Sequence, residues 1–295
     1  MPDKTTLALE SHPDVSTGPR GRRGSRLPRG LIFVLPLLVF GLATFAAPLA
    51  GVLLRSIGTD DGIGFEHYQE AIGTPAYLKI LGNTFRLSLV VTAVTCLIGY
   101  PLAYWISRLT TLGKILTITL VILPFWTSVL VRTYAWIIIL GNKGVANELL
   151  LNLGLIGSPI QLVFNETGVI IGMVHVLMPF LVLPLLASMI GVDRRLVLAA
   201  NSLGARPWSA FWRIFFPLTA PALSAGAVLV FILSLGFYVT PALLGGGKVP
   251  MIATVLDTLI NRLPRWEVAS ALSILLLLCC LGLFSLYRRF GGLMK

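Results

Sequence analysis

Six apolar runs constrain this chain more than any motif does. They cover 31–54, 85–106, 115–140, 169–190, 220–243 and 269–286, each near the roughly twenty residues that a helix needs to cross a bilayer. Backbone in hydrocarbon must satisfy its own polar groups, so runs of this length fold as helices. Pro36, Pro48, Pro101, Pro124, Pro179 and Pro184 lie inside them. Membrane helices kink at such prolines where neighbours satisfy the freed carbonyls. Only 12% of the 295 residues are charged and mean hydropathy is +0.88, whereas a soluble domain carries roughly a quarter charged residues. The fold class that follows is an all-α polytopic membrane protein with six transmembrane helices and both termini on one side.

Charge assigns the sides. Lys4, Arg20, Arg22, Arg23, Arg26 and Arg29, then Arg108 and Lys114, the four arginines of 191–217, and Arg288, Arg289 and Lys295 share one side, fifteen in all. The other side holds seven: Arg55, Lys79, Arg86, Lys143, Lys248, Arg262 and Arg265. Asp60, Asp61, Glu66, Glu70, Glu148, Glu166, Asp257 and Glu267 gather on that second side. Excess Lys and Arg mark the cytoplasmic face, so both termini and the 191–217 loop are expected in the cytoplasm. The net charge of +11 then reflects orientation in the membrane, not nucleic-acid binding. Residues 1–29 are polar, rich in Pro, Gly, Ser and Arg, and are expected to be a disordered basic tail. The apolar stretch behind them is too long for a cleavable signal peptide. The membrane domain covers 30–290, and 291–295 form a short C-terminal tail.

Between the fourth and fifth runs, 191–217 carries Arg194, Arg195, Arg206 and Arg213 beside small residues at helical spacing: Ala199, Ala200, Ser202, Gly204 and Ala205. Small side chains let a partner's backbone approach closely, which makes this a candidate docking helix; an ordinary cytoplasmic linker is the alternative. Pro217 and Pro221 form a hinge into the next run. On the opposite side, 65–72 is amphipathic and is expected to lie at the interface as a helix. A second interfacial helix is expected within 142–168, followed by a turn at Gly157-Ser158-Pro159. Gly245-Gly246-Gly247-Lys248 is followed by Val249 and preceded by no strand, so it is not the G-x-x-x-x-G-K-[ST] phosphate loop.

At membrane depth the outstanding residue is Arg132, because a charge within a span is costly and marks a pathway or a buried partner. Trp126, Arg132 and Trp136 are candidates for a path-lining stripe, Arg132 and Trp136 being one helical turn apart. Alternatively Arg132 binds carbonyls of a broken helix or an outer acid. Gly236 and Pro241 are placed to bend the fifth span near Tyr238, which offers a ring and a hydroxyl to a solute or belongs to an interfacial aromatic belt. Asp257 follows on the outer side and is placed to meet a cation or water. His175, alone in its run, reads as packing or a helix-to-helix hydrogen bond. No HExxH, GxSxG or paired carboxylates lie in a span, so no catalytic residue, cofactor site or metal site is expected.

The spacing Ala199-Ala200, three residues, Gly204, nine residues, Ile214, one residue, Phe216-Pro217 resembles the EAA loop of permease subunits in binding-protein-dependent ABC importers. Leu198 stands where that family has Glu, and Phe216 where it has Leu. Asn83-Thr84-Phe85, Gly99-Tyr100-Pro101-Leu102-Ala103-Tyr104, Pro124-Phe125-Trp126, Arg132-Thr133-Tyr134-Ala135-Trp136 and Phe237-Tyr238-Val239-Thr240-Pro241 are similar to the spermidine/putrescine (PotB-like) permease family. The resemblance covers about residues 30–290. It implies a type I ABC importer permease fold in a bacterial inner membrane, with Ala199, Ala200, Gly204, Ile214 and Pro217 coupling to a cytoplasmic ATPase present in two copies. It also implies a second homologous permease and a periplasmic solute-binding protein as partners, with ATP and Mg held by the ATPase. The expected solute is a small charged nitrogenous metabolite, polyamine first, with amino-acid derivatives, opines and organophosphonates as alternatives and a passive channel as the rival class.

Overall fold

The computed structural model describes residues 29–59 and 62–291. Of the two expected tails, only Arg29 and Gly291 fall within the described residues, as helix ends. The helices are, in order, α1 Arg29–Ile57, α2 Glu66–Gly73, α3 Pro75–Arg108, α4 Thr111–Ile122, α5 Val129–Leu140, α6 Val145–Asn152 and α7 Glu166–Gly191. Next come α8 Arg194–Ser202, α9 Pro207–Ala210, α10 Phe216–Leu235, α11 Val239–Leu244, α12 Ile252–Asn261 and α13 Trp266–Gly291. A 3-10 turn, Leu123–Trp126, follows α4, and a π turn, Phe211–Phe215, joins α9 to α10. Gly58–Thr59 and Gly62–Ile63 form a minimal antiparallel pair after α1. Six helical stretches among the described residues are long and apolar enough to span a membrane.

The chain divides into two units, 1–49 and 50–295. The described part of the first is the leading portion of α1, with Pro36 and Pro48 inside the helix. The second unit is built around α7, which packs against both α3 and α10. An evenly apolar helix has to be covered on all sides, and α7 buries Val169, Met173, Leu177, Leu181, Leu185 and Met189 along its length. Leu181 lies between two glycines: a Cβ on Gly99 of α3 would sit 2.7 Å from its Cδ2, and one on Gly226 of α10 would sit 2.8 Å from its Cδ1. The two backbones therefore close on α7 because neither carries a side chain there. A smaller core joins Ala71 of α2, Ile252 and Leu259 of α12, and Val268, Ala269, Ala271 and Leu272 of α13. Arg265 holds Glu70 across it at 2.6 Å.

The expected interfacial helices are α2 and α6. Asn147 of α6 is buried and staples its loop, its Nδ2 donating to the carbonyls of Gly141 and Ile160 at 3.0 Å each while its Oδ1 accepts from Ile160 N. Two spans depart from expectation. The third apolar run is not one helix: the chain leaves α4 at the 3-10 turn carrying Pro124 and restarts at Ser128, whose side chain caps α5 by accepting from Leu130 N. Pro124 removes one ladder donor, and Ser128 offers the backbone a competing bond; together they end one helix and start another. The fifth span starts earlier and ends at Leu235, where Gly236 closes α10 before the short α11. Pro217 lies in the first turn of α10 and Pro221 inside it, so helix runs through both residues of the expected hinge. The π turn lies immediately before and places its wider ring at Arg213, the residue whose carbonyl Pro217 would otherwise crowd.

Candidate functional site

The 191–217 segment folds as a compact helical projection. Asp193 caps α8, its Oδ1 accepting from Arg195 N at 2.9 Å. At the other end Gly204 N donates to Asn201 O and Ala205 N to Ala200 O, both at 3.0 Å. That bond pair is a Schellman motif, and it needs a left-handed residue; Gly204 has φ +86°. Gly204 is therefore the turn that ends α8, not a member of its small-residue face. Ala199 is exposed and Ala200 half-buried, while Ile214 is half-buried in the π turn and Pro217 exposed in the first turn of α10. The tip is more apolar than small residues alone provide, with Leu198 61% and Leu203 89% exposed.

Reading by spacing missed how this projection is fastened. Trp208, Phe211, Trp212, Phe215 and Phe216 form a chain of ring contacts that ends on α3: Phe211 and Phe215 meet Tyr104 edge-on at 5.2 Å and 5.3 Å. The Tyr100 hydroxyl hydrogen-bonds Thr219 of α10 at 3.0 Å, and the Arg108 guanidinium lies 4.5 Å over the Tyr104 ring. Aromatic pairs of this geometry each contribute about 0.5–1.5 kcal/mol beyond burial. The rings thus tie the segment after α8 to α3 and α10 in the geometry of a lever.

The candidate path residues do not form one stripe. Trp126 sits in the 3-10 turn, 86% exposed and beyond the helix break from Arg132. Trp136 instead turns to α7, its Nε1 donating to His175 Nδ1 at 3.2 Å. That bond makes Nδ1 the acceptor, so neutral His175 carries its proton on Nε2. Arg132 stands near His175, its Nε and Nη1 closed from solvent with no acceptor among the described residues. Tyr238 and Asp257 do come together. They line a cavity of about 250 Å³ with Thr254, Thr258 and Arg262, beside the break at Gly236. The carboxylate of Asp257 faces the Tyr238 hydroxyl and accepts from Asn261 Nδ2 at 2.7 Å. Thr133 and Thr240 hydroxyls, 3.4 Å apart, tie α5 to α11.

Such a molecule combines apolar helices of membrane-spanning length with an exposed polar helix and a carboxylate–aromatic pocket. The family described as "Binding-protein-dependent transport system inner membrane component" matches residues 20–295. The spermidine/putrescine transport system permease protein PotB of Haemophilus influenzae is 35% identical over 85% of this chain and 91% of its own length. PotB of Escherichia coli is 38% identical over 68% of this chain and 74% of its own. Among solved structures, a bacterial alginate ABC transporter in complex with alginate pentasaccharide-bound periplasmic protein superposes with a TM-score of 0.71 over 88% of this chain and 94% of that one, at 21% identity. The chain thus belongs to the inner-membrane permease components of binding-protein-dependent ABC transport systems.

Proposed function

We propose that this permease forms, with a second homologous permease, the path of an ATP-driven importer for polyamines of the spermidine and putrescine type. The observation that carries the substrate is the Tyr238–Asp257 pocket at the α10–α11 break, because an aromatic face and a carboxylate together suit an alkylammonium group. The polyamine-transport names of the relatives agree with it. The positive-inside bias puts both termini and α8 in the cytoplasm, where two copies of a separate ATPase would bind ATP and Mg and dock on α8 through Leu198, Ala199 and Leu203. A solute-binding protein would deliver the polyamine from the periplasm. ATP would act by binding one arrangement of the ATPase pair better than the other, drawing α8 and its aromatic lever along and biasing the spans to the outward-facing state.

One observation favours a second substrate class. Among the described residues Arg132 lacks an acceptor for two buried nitrogens, which suits a solute bearing an anionic group beside its amine, as in amino-acid derivatives, opines and organophosphonates. Uptake of labelled putrescine and spermidine by cells lacking this gene separates the two. Loss of uptake, restored by wild type but with KM raised about tenfold in Asp257→Asn, supports the polyamine reading. Unchanged polyamine uptake in the deletion strain sinks it and turns the search to zwitterionic solutes, whose uptake Arg132→Gln should then impair.

A further inference from the structure

The Gly245–Lys248 run builds a turn with a cavity on either side. Gly246 and Gly247 are left-handed, at φ +54° and +74°, and Lys248 N closes the turn onto Gly245 O at 3.0 Å. Phe164 fixes it from outside: a Cβ on Gly246 would stand 2.8 Å from the Phe164 ring, and Phe164 itself is held at φ +59°. A non-glycine in this region is strained, and strain of this kind persists where the surroundings over-determine it. One side of the turn borders the Tyr238–Asp257 pocket through Gly247, Val249 and Pro250. The other side borders a larger cavity of about 630 Å³ lined by Lys79, Asn83, Arg86, Lys248 and Pro250.

This second cavity is basic and built. Arg86 of α3 pairs with Glu166 at the start of α7 and also donates to Asn83 Oδ1 at 3.1 Å, while Asn83 Nδ2 donates to Pro250 O at 3.1 Å. These bonds join α3, α7 and the segment after the turn into one wall, with Glu166 engaged by Arg86. Lys79 and Lys248 are exposed, and neither has an acidic partner among the described residues. On a non-cytoplasmic face Lys and Arg are depleted by the positive-inside bias. Here three of the seven basic residues on that side converge on one cavity.

We propose that this cavity is the docking site for an acidic lobe of the solute-binding protein, with Lys79 and Lys248 as charge contacts and Arg86 as their braced support. The occupant must supply carboxylates, because the cavity carries two cations beyond the one that Glu166 neutralises. The solved relative is seen in complex with a periplasmic protein, and the charge bias assigns this cavity to the periplasmic side. Docking here would press on the glycine turn, whose far side is the amine pocket. The inference rests on the orientation and the binding-protein dependence proposed above.

The test uses the intact transporter in nanodiscs and the binding protein that works with it, measuring affinity against salt. Lys79→Glu and Lys248→Glu are each expected to weaken binding about tenfold, and the double reversal to flatten the salt dependence, as for charges at an interface rim. Basal ATPase activity should stay unchanged, and reversing a carboxylate of the binding protein should restore affinity to the double variant. Wild-type affinity in the double variant overturns the docking site while leaving the importer reading intact. A binding defect that tracks the anionic phospholipid content of the nanodisc assigns the cavity to lipid phosphate and also overturns it. Absence of any wild-type binding sinks the importer reading itself.

Discussion

At Gly204 a substitution meets open space, since a Cβ there would touch nothing within 4 Å. The cost is in the backbone: a left-handed φ of +86° disfavours an L side chain by about 1–2 kcal/mol, and a β-branched one more. Gly204→Val is therefore expected to fray the last turn of α8 and to lower substrate uptake per ATP hydrolysed, with global Tm almost unmoved. An unchanged transport-to-hydrolysis ratio would show that the turn has no part in coupling. The sequence suggested a small-residue helix here, because glycine at helical spacing looks the same on a helix and just past its end. Only the bond pair from Gly204 and Ala205 separates the two cases. The same limit applies to Arg132 and Trp136. Their spacing of four placed them on one helix, but not which neighbours their side chains reach; Trp136 spends its single donor on His175.

Elements show how far pattern carries. The fourth apolar run agrees with α7 to within three residues at each end, because apolarity all round is a local property of the sequence. The third run failed as one helix: hydropathy sums over Pro124, Thr127 and Ser128 without registering that they break the ladder. Packing then decides stability. Leu181→Ala in α7 would open a void between Gly99 and Gly226, and it is expected to cost about 2–5 kcal/mol, as such core deletions do. A thermal melt of the purified protein reads this as a clear fall in Tm. The aromatic lever makes a different prediction. Phe211→Ala removes contacts to Tyr104, Trp208 and Trp212, so ATP hydrolysis should persist while its stimulation by loaded binding protein falls. Stimulation at the wild-type level would mean that motion reaches the spans by another route.

For the whole molecule, the orientation expected from charge is directly measurable. With the native cysteines Cys96, Cys279 and Cys280 replaced, a single cysteine at Ser158 should react with an impermeant thiol reagent in intact cells. One at Ser202, the last residue of α8, should react only after permeabilisation; the reverse pattern would invert the topology. The sequence by itself determined the class and the number of membrane-length apolar helices, and its charge bias predicts the side on which the basic loops lie. Hydropathy and charge bias act residue by residue against a uniform solvent, so they need no knowledge of neighbours. Tertiary structure alone decided which distant residues share a site. Tyr238 and Asp257 meet because α10 breaks at Gly236 and α12 folds back beside it. Lys79 and Lys248, separated by most of the chain, face one cavity because α3, α7 and the glycine turn are locked together by Arg86 and Asn83. Contacts of that kind arise from how helices pack, and no local pattern in the sequence encodes them.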